Sequence, residues 1–279
     1  MLRTPTECLL RFKGVCKDWC SLIKDPKFVK KHFDHHKAND QSIGIVFIYA
    51  NCIQQYYLYL TIFNKLWEYK DVPSYKIMEN DKFRVKVPTD GISKLTSCNG
   101  LLCFHTEFPL LMVNPITREI LELPKPWIEE EDEEASACGF GLDAKMNVYK
   151  VVQLELCFSN SSLECEVLEL GTTISWRKIQ HQPSFPCPDL GDPDEHLEPV
   201  FVEGSIYWLA SENILCFDVA AKRLKLIPEP DHQKAQCCGN YNTFLVELDK
   251  SLCLMTHGIS SGMVGIWKMQ KDSVNEETT

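Results

Sequence analysis

The segments VNPITREILELP (Val113–Pro124) and FDVAAKRLKLIP (Phe217–Pro228) align without a gap. In each, an Asn or Asp opens a turn, a basic residue (Arg118, Lys222) follows four positions on, and a proline (Pro124, Pro228) closes the strand ten positions on. Three further segments align with one another: CNGLLCF from Cys98, VEGSIYWL from Val202 and LDKSLCLM from Leu248. Each reads as a short strand, a two-residue turn (Asn99-Gly100, Glu203-Gly204, Asp249-Lys250) and a second strand. Asn99 precedes Asn114 by fifteen residues, Glu203 precedes Asp218 by the same fifteen, and the step from Glu203 to Asp249 is 46. Self-similarity at such a period marks a repeat architecture.

The repeating unit is a hairpin, an Asn/Asp turn and an edge strand that stops at proline, which cannot donate to a ladder. A sheet of this kind is apolar on both faces and needs a neighbour on each. Packing copies around an axis supplies both, which gives a mainly β, β-propeller-like domain with blades of roughly 40–50 residues. Residues 41–271 then hold about five or six blades, followed by a disordered tail at 272–279. An irregular β-sandwich is the competing arrangement. Strand-like runs rich in β-branched and aromatic residues fill this span: Ile43–Ala50, Gln54–Phe63, Leu110–Val113, Tyr149–Leu156, Cys165–Leu170, Val200–Leu209 and Phe244–Met255.

Residues 1–37 read as helical instead. Leu9, Leu10, Phe12, Val15, Cys16, Trp19, Leu22 and Ile23 recur at helical three-and-four spacing. Thr6 is placed to cap the first helix, Gly14 to break it, and Asp25-Pro26 to end one helix and start the next. Phe28, Val29, His32 and Phe33 line one face of the last helix. So small a unit with so much apolar surface needs a partner or the following domain to cover it.

Charge divides at the same place. Residues 1–38 hold nine Lys/Arg against four Asp/Glu, within a chain whose net charge is −10. The strongly acidic remainder is unsuited to gripping nucleic acid. The N-terminus lacks an uninterrupted apolar signal region, and no apolar run approaches the ~20 residues that cross a bilayer. A cytoplasmic or nuclear location follows, with most of the fourteen cysteines as small buried hydrophobes.

In register, these segments resemble one family: plant F-box proteins carrying an F-box-associated (kelch-like) domain. LLRFKGVCKDWCSLIKDPKFVKKHF resembles the second half of an F-box and its following helix. SCNGLLCF…VNPITREILELP, GFGLDAKMNVYKVVQL, ECEVLELGTTISWRKI, PVFVEGSIYWLA…ILCFDVAAKRLKLIP and LCLM…VGIWKM follow the domain's successive signatures in order. The resemblance implies a non-catalytic substrate-recognition subunit of an SCF-type E3 ubiquitin ligase. A Skp-family adaptor, and through it a cullin, would dock on Pro5, Leu9, Leu10, Phe12, Val15, Cys16 and Trp19. An unknown protein substrate would sit on the β domain, with no cofactor, metal, nucleic acid or membrane. An F-box of this type carries a further helix before the segment corresponding to LRTPTECLL, so the resemblance also implies weakened or lost adaptor binding. The alternative is a free-standing β-propeller interaction module.

Sharper chemical motifs fail on context. GISSG (Gly258–Gly262) matches a nucleophile elbow, but no His follows Ser260. GFGLDA (Gly139–Ala144) mimics a dinucleotide fingerprint but leads into a strand, so a blade turn is expected. Cys8, Cys16, Cys20, His32, His35 and His36 read as holding neither Cys-x-x-Cys nor His-x-x-x-His pairing, and Cys16 and Cys20 as sharing an apolar helix face, so packing is expected rather than zinc. Cys237-Cys238 likewise read as packing, and Glu129–Glu134 as a solvated loop. Trp176, Trp208 and Trp267 read as core.

Overall fold

The computed structural model describes residues 1–39, 43–50, 56–63, 84–87, 94–105, 110–126, 135–157, 162–171, 175–179, 198–210, 213–228, 241–258 and 262–269. Two compact units emerge, Met1–Gly91 with Val113–Ile120, and Ile92–Met112 with Leu121–Thr279. The first begins with three helices, α1 (Thr6–Phe12), α2 (Lys17–Lys24) and α3 (Pro26–Asn39). It continues into a three-stranded antiparallel sheet of β1 (Ile43–Ala50), β2 (Tyr56–Phe63) and β3 (Arg84–Val87).

Four more antiparallel sheets follow, each in simple chain order. One holds β4 (Lys94–Cys98), β5 (Leu101–His105), β6 (Leu111–Asn114) and β7 (Glu119–Glu122). The next holds β8 (Ala135–Asp143), β9 (Val148–Cys157), β10 (Ser162–Leu170) and β11 (Trp176–Lys178). A third holds β12 (Val200–Val202), β13 (Ser205–Ala210), β14 (Asn213–Asp218) and β15 (Arg223–Pro228). The last, among the described residues, has three strands: β16 (Tyr241–Leu248), β17 (Ser251–Gly258) and β18 (Val264–Lys268). Their first strands converge, β8 lying beside β4 and β12, and β12 beside β4 and β16. Successive sheets around converging inner strands are a propeller-like arrangement. Among the described residues four sheets share it, where five or six blades were expected.

The turns anticipated from the repeat are present in detail. Both central residues are left-handed at Asn99 and Gly100, at Glu203 and Gly204, and at Asp249 and Lys250. Such pairs match the twist of the strands they join. Asn114 and Asp218 open the second turn type: each side-chain oxygen accepts from the backbone N–H groups two and three residues on, at 2.7–3.1 Å. Arg118 and Lys222 then turn left-handed and donate their N–H to the opening carbonyl at 2.8 Å. A third copy, absent from the sequence alignment, joins β8 to β9. Asp143 Oδ1 accepts from Lys145 and Met146, and Asn147 is left-handed.

Between sheets the core comes in three layers. Cys98, Cys103, Leu110 and Met112 pack on Cys138, Phe140, Val151 and Leu168. Ala137, Val152, Leu154 and Val167 pack on Ile206, Trp208, Leu215 and Phe217. Val202, Tyr207, Ile214 and Cys216 pack on Leu245, Leu252 and Leu254. The GFGLDA glycines sit inside β8 rather than in a turn. A Cβ on Gly139 would fall 2.5 Å from the Trp208 ring, and one on Gly141 would fall 2.6 Å from the Phe201 ring. Glycine permits this approach, and the Trp208 indole N–H donates to the Cys138 carbonyl at 3.2 Å.

One buried charge ties two sheets together. Lys150 on β9 is fully buried, and its ammonium donates to Asp143 Oδ2 at 2.9 Å and to the Val219 carbonyl at 2.8 Å. Glu169 lies 3.6 Å from the same ammonium and 2.7 Å from that of Lys222. Burial pushes the Asp143 carboxyl up, but the hydrogen bonds from Lys150, Met146 and Lys145 outweigh it and hold the group below its usual range. The hydrogen bond from Lys222 lowers Glu169 against its own partial burial.

Two outcomes follow for urea and thermal unfolding of the intact chain. Lys150→Met strands a buried carboxylate and costs about 3–5 kcal/mol, while adding Asp143→Asn recovers part of the loss. Both carboxylates are lowered on folding, so their contribution is present above their unfolded values near ~4 and disappears as pH falls through the folded ones. The melting temperature therefore drops steeply on acidification below about pH 4 in the wild type, and less steeply in the double variant.

Candidate functional site

The candidate docking face lies on the helices. Pro5 occupies the cap position of α1 with extended backbone and no side-chain cap, so Thr6 is the first helical residue rather than the cap. Cys16 is the cap of α2, its Sγ accepting from the Trp19 N–H at 3.5 Å. It therefore sits outside the helix instead of sharing an apolar face with Cys20. Asp25 ends α2, and its Oδ1 accepts from the Lys27 and Phe28 N–H groups at 2.7 and 3.3 Å to start α3.

Burial divides the seven expected contact residues. Leu9 is buried and Leu10 and Phe12 are half-buried, whereas Pro5, Val15, Cys16 and Trp19 are exposed. Val15 is 62% and Trp19 37% exposed. Phe12 and Trp19 meet edge-to-face with centroids 5.2 Å apart, which joins α1 to α2 and fixes the indole. Two exposed apolar side chains lie beyond the expected set, Leu22 at 45% and Val29 at 51%. Leu22 was detectable, since it sits three residues after Trp19. Val29 was expected on one face of α3 with Phe28, His32 and Phe33, but it is exposed while those three are wholly or partly covered. Exposed lysines (Lys17, Lys24, Lys27, Lys30, Lys31) surround the helices with positive charge.

The β portion offers packing where chemistry was considered. Trp176 and Trp208 are buried, and Trp267 packs partly covered on the third core layer. The Trp176 indole N–H donates to the Pro124 carbonyl at 2.7 Å. Among the described residues no three or more His, Cys, Asp or Glu side chains converge as metal ligands, and no helix is long and apolar enough to cross a membrane. Ser260, Cys237-Cys238, Glu129–Glu134 and the 272–279 tail lie outside the described residues.

Cysteine environments discriminate sharply. Cys98, Cys103, Cys138, Cys165, Cys216 and Cys253 are buried, Cys8 and Cys20 partly so, and Cys16 is exposed. A hydrogen bond with Cys138 and burial raise the Cys103 thiol; burial and the charge of Glu166 raise Cys165. Burial pushes Cys216 up to about 11. Thiolate is the reactive form. Among these nine thiols, iodoacetamide under native conditions modifies Cys16 first and spares the six buried ones, as peptide mass spectrometry reads directly. Early labelling of Cys103 or Cys165 would contradict the packing described.

Residues 57–277 match the family model of the F-box associated beta propeller domain. The Arabidopsis thaliana F-box protein At5g10340 is 30% identical over 236 residues, 76% of this chain and 50% of that protein. Putative F-box protein At1g47790 from the same plant is 28% identical over 93% of this chain and 64% of its own length. The Arabidopsis thaliana F-box/kelch-repeat protein At3g23880 is 26% identical over 86% of this chain and 64% of its length. The chain thus spans between half and 64% of the length of these relatives. Among solved structures, the extracellular domain of a putative one component system from B. thetaiotaomicron aligns with 79% of this chain and 27% of its own, at 13% identity and a TM-score of 0.35. The family match covers well over half of the sequence, in the strand-built part whose turns and inter-sheet packing are described above: the chain belongs to the F-box associated β-propeller domain family.

Proposed function

We propose that this chain is a non-catalytic substrate-recognition subunit of an SCF-type E3 ubiquitin ligase, working in the cytoplasm or nucleus. Its helices bind a Skp-family adaptor, and through it a cullin, while the β domain holds a protein target. The observation that carries the reading is the exposed apolar set Val15, Cys16 and Trp19 at the α1–α2 junction, preceding an F-box associated domain. An apolar helix face fits a groove on a partner, and a tryptophan already braced by Phe12 loses little side-chain freedom on burial. The chain's contribution is position: a target held beside a charged ubiquitin carrier reacts at a raised effective concentration.

A free-standing interaction module is the second reading. The inward turn of Leu9 favours it, because that residue is already covered before any adaptor arrives. Calorimetry of the purified chain with a purified Skp-family adaptor separates the two. The receptor reading expects a saturable complex that Trp19→Ala weakens by about thirtyfold or more, the effect of losing a central anchor. Val15→Ser is expected to weaken it less, and both variants keep the β-sheet circular dichroism of the parent. No complex with the unmodified chain would leave the interaction module; binding indifferent to Trp19→Ala would move the docking face elsewhere.

A further inference from the structure

His32 and His36 are four residues apart on α3, so their rings share one side of the helix. This is a His-x-x-x-His pair, against the expectation that the histidines and cysteines of the N-terminal segment hold no such pairing. The two rings are in contact, with centroids 4.3 Å apart and planes tilted by 40°. His32 is buried, and its Nε2–H donates to the Thr4 carbonyl at 2.7 Å. His36 Nε2 is buried and has no hydrogen-bond partner among the described residues. Phe28 stacks on His32 at 5.9 Å, and His35 meets His36 edge-on at 5.7 Å.

A buried ring nitrogen stripped of water and given no partner is destabilising and calls for a physical reason. Two neutral imidazoles at this helical spacing, beside a backbone carbonyl, offer the donors that late first-row divalent metals prefer. We propose that His32, His36 and the Thr4 carbonyl form a binding site for one divalent transition-metal ion of the zinc, nickel or copper class. On binding, the His32 proton passes through solvent from Nε2 to Nδ1, so the ring stays neutral and Nε2 gives its electron pair to the ion, while His36 Nε2 supplies the second nitrogen. The Thr4 oxygen, released from its hydrogen bond, is the third donor. Phe28 and His35 hold the rings in place, as outer neighbours of metal ligands do.

Two imidazoles are fewer protein ligands than a closed structural zinc site uses, so the ion is exchangeable and keeps water in its remaining positions. The site ties the N-terminal turn to α3. Thr4 N–H already donates to the Met1 carbonyl at 3.0 Å, and Pro5 begins α1. An ion at Thr4 would therefore steady the start of the helix that carries Leu9, Leu10 and Phe12.

Ni²⁺ is the probe, because its paramagnetism broadens only nearby ring protons. The full chain, stripped of metal and kept reduced, is titrated with Ni²⁺ while the imidazole signals of its eight histidines are followed by NMR. The expected result is broadening of His32 and His36 ahead of the others, with a single affinity that His36→Phe and His32→Ala each weaken by at least about tenfold. His36→Phe keeps a ring against His32 and His35, so packing alone does not explain a loss. Uniform broadening, or an affinity unchanged in His36→Phe, overturns the proposal. So does a signal that vanishes when Cys8, Cys16 and Cys20 become serine, since the ion would then belong to thiols.

Discussion

Val151 and Val152 are neighbours on β9, both fully buried, and they serve different core layers on opposite faces of one sheet. A strand with consecutive buried residues cannot belong to a two-layer sandwich with one wet face; it needs a sheet on each side. Everything else in the β portion serves that constraint. Tight hairpins keep each sheet narrow, Gly139 and Gly141 let Trp208 and Phe201 approach the backbone, and the chain-order topology places each sheet beside its predecessor. The core layers accordingly lie between sheets, each drawing side chains from two of them.

Polar groups enter this packing only where they are paired. Asp143 uses one oxygen to close the β8–β9 turn and the other to receive Lys150, so local turn chemistry and sheet-to-sheet docking meet in a single carboxylate. Lys150 reaches onward to the Val219 carbonyl, inside the homologous Asx turn that opens at Asp218. A lone buried ammonium would be severely destabilising; two carboxylates and a carbonyl make it tolerable and fix the orientation of the two sheets. Lys222, left-handed because its turn requires it, is thereby placed to hold Glu169.

Sequence order made the strands and hairpins legible because their determinants are local: Asn-Gly favours left-handed backbone by itself, and Glu-Gly and Asp-Lys occupy the aligned turn positions between two strand-like runs. The Asn114 and Asp218 turns were legible for the same reason; a turn was expected at GFGLDA too, but the kinship of the Asp143 turn with those two escaped because its left-handed residue is Asn147 rather than a basic one. What resisted reading was set by distant chain. Nothing near GFGLDA announces that Trp208, some seventy residues on, will press against Gly139, and nothing near Lys150 announces Val219. The helical spacing of the head was plain, yet cap identity depends on which residue first leaves extended geometry, and Pro5 with its fixed φ took the place assigned to Thr6. Outward placement of Val29 was invisible because apolarity alone does not say which side of a helix finds cover.

The head is economical in its burial: among the helical residues with described side chains, Leu9, Ile23 and His32 are the buried ones. Three short helices with so few covered residues gain little from their own packing, and isolated helices of this length are marginal in water. Their order rests on end effects, namely Cys16 capping α2, Asp25 capping α3, and the Phe12–Trp19 ring contact bridging α1 and α2. Each of these is worth only about 0.5–2 kcal/mol. Leaving Val15, Trp19, Leu22 and Val29 in water under such conditions forgoes the stabilisation that burial would bring, roughly 25 cal/mol for each Å² of apolar surface. Under the receptor role proposed above, a second molecule would recover that stability, and the capped, ring-braced geometry of α1 and α2 is what keeps Trp19 in place meanwhile.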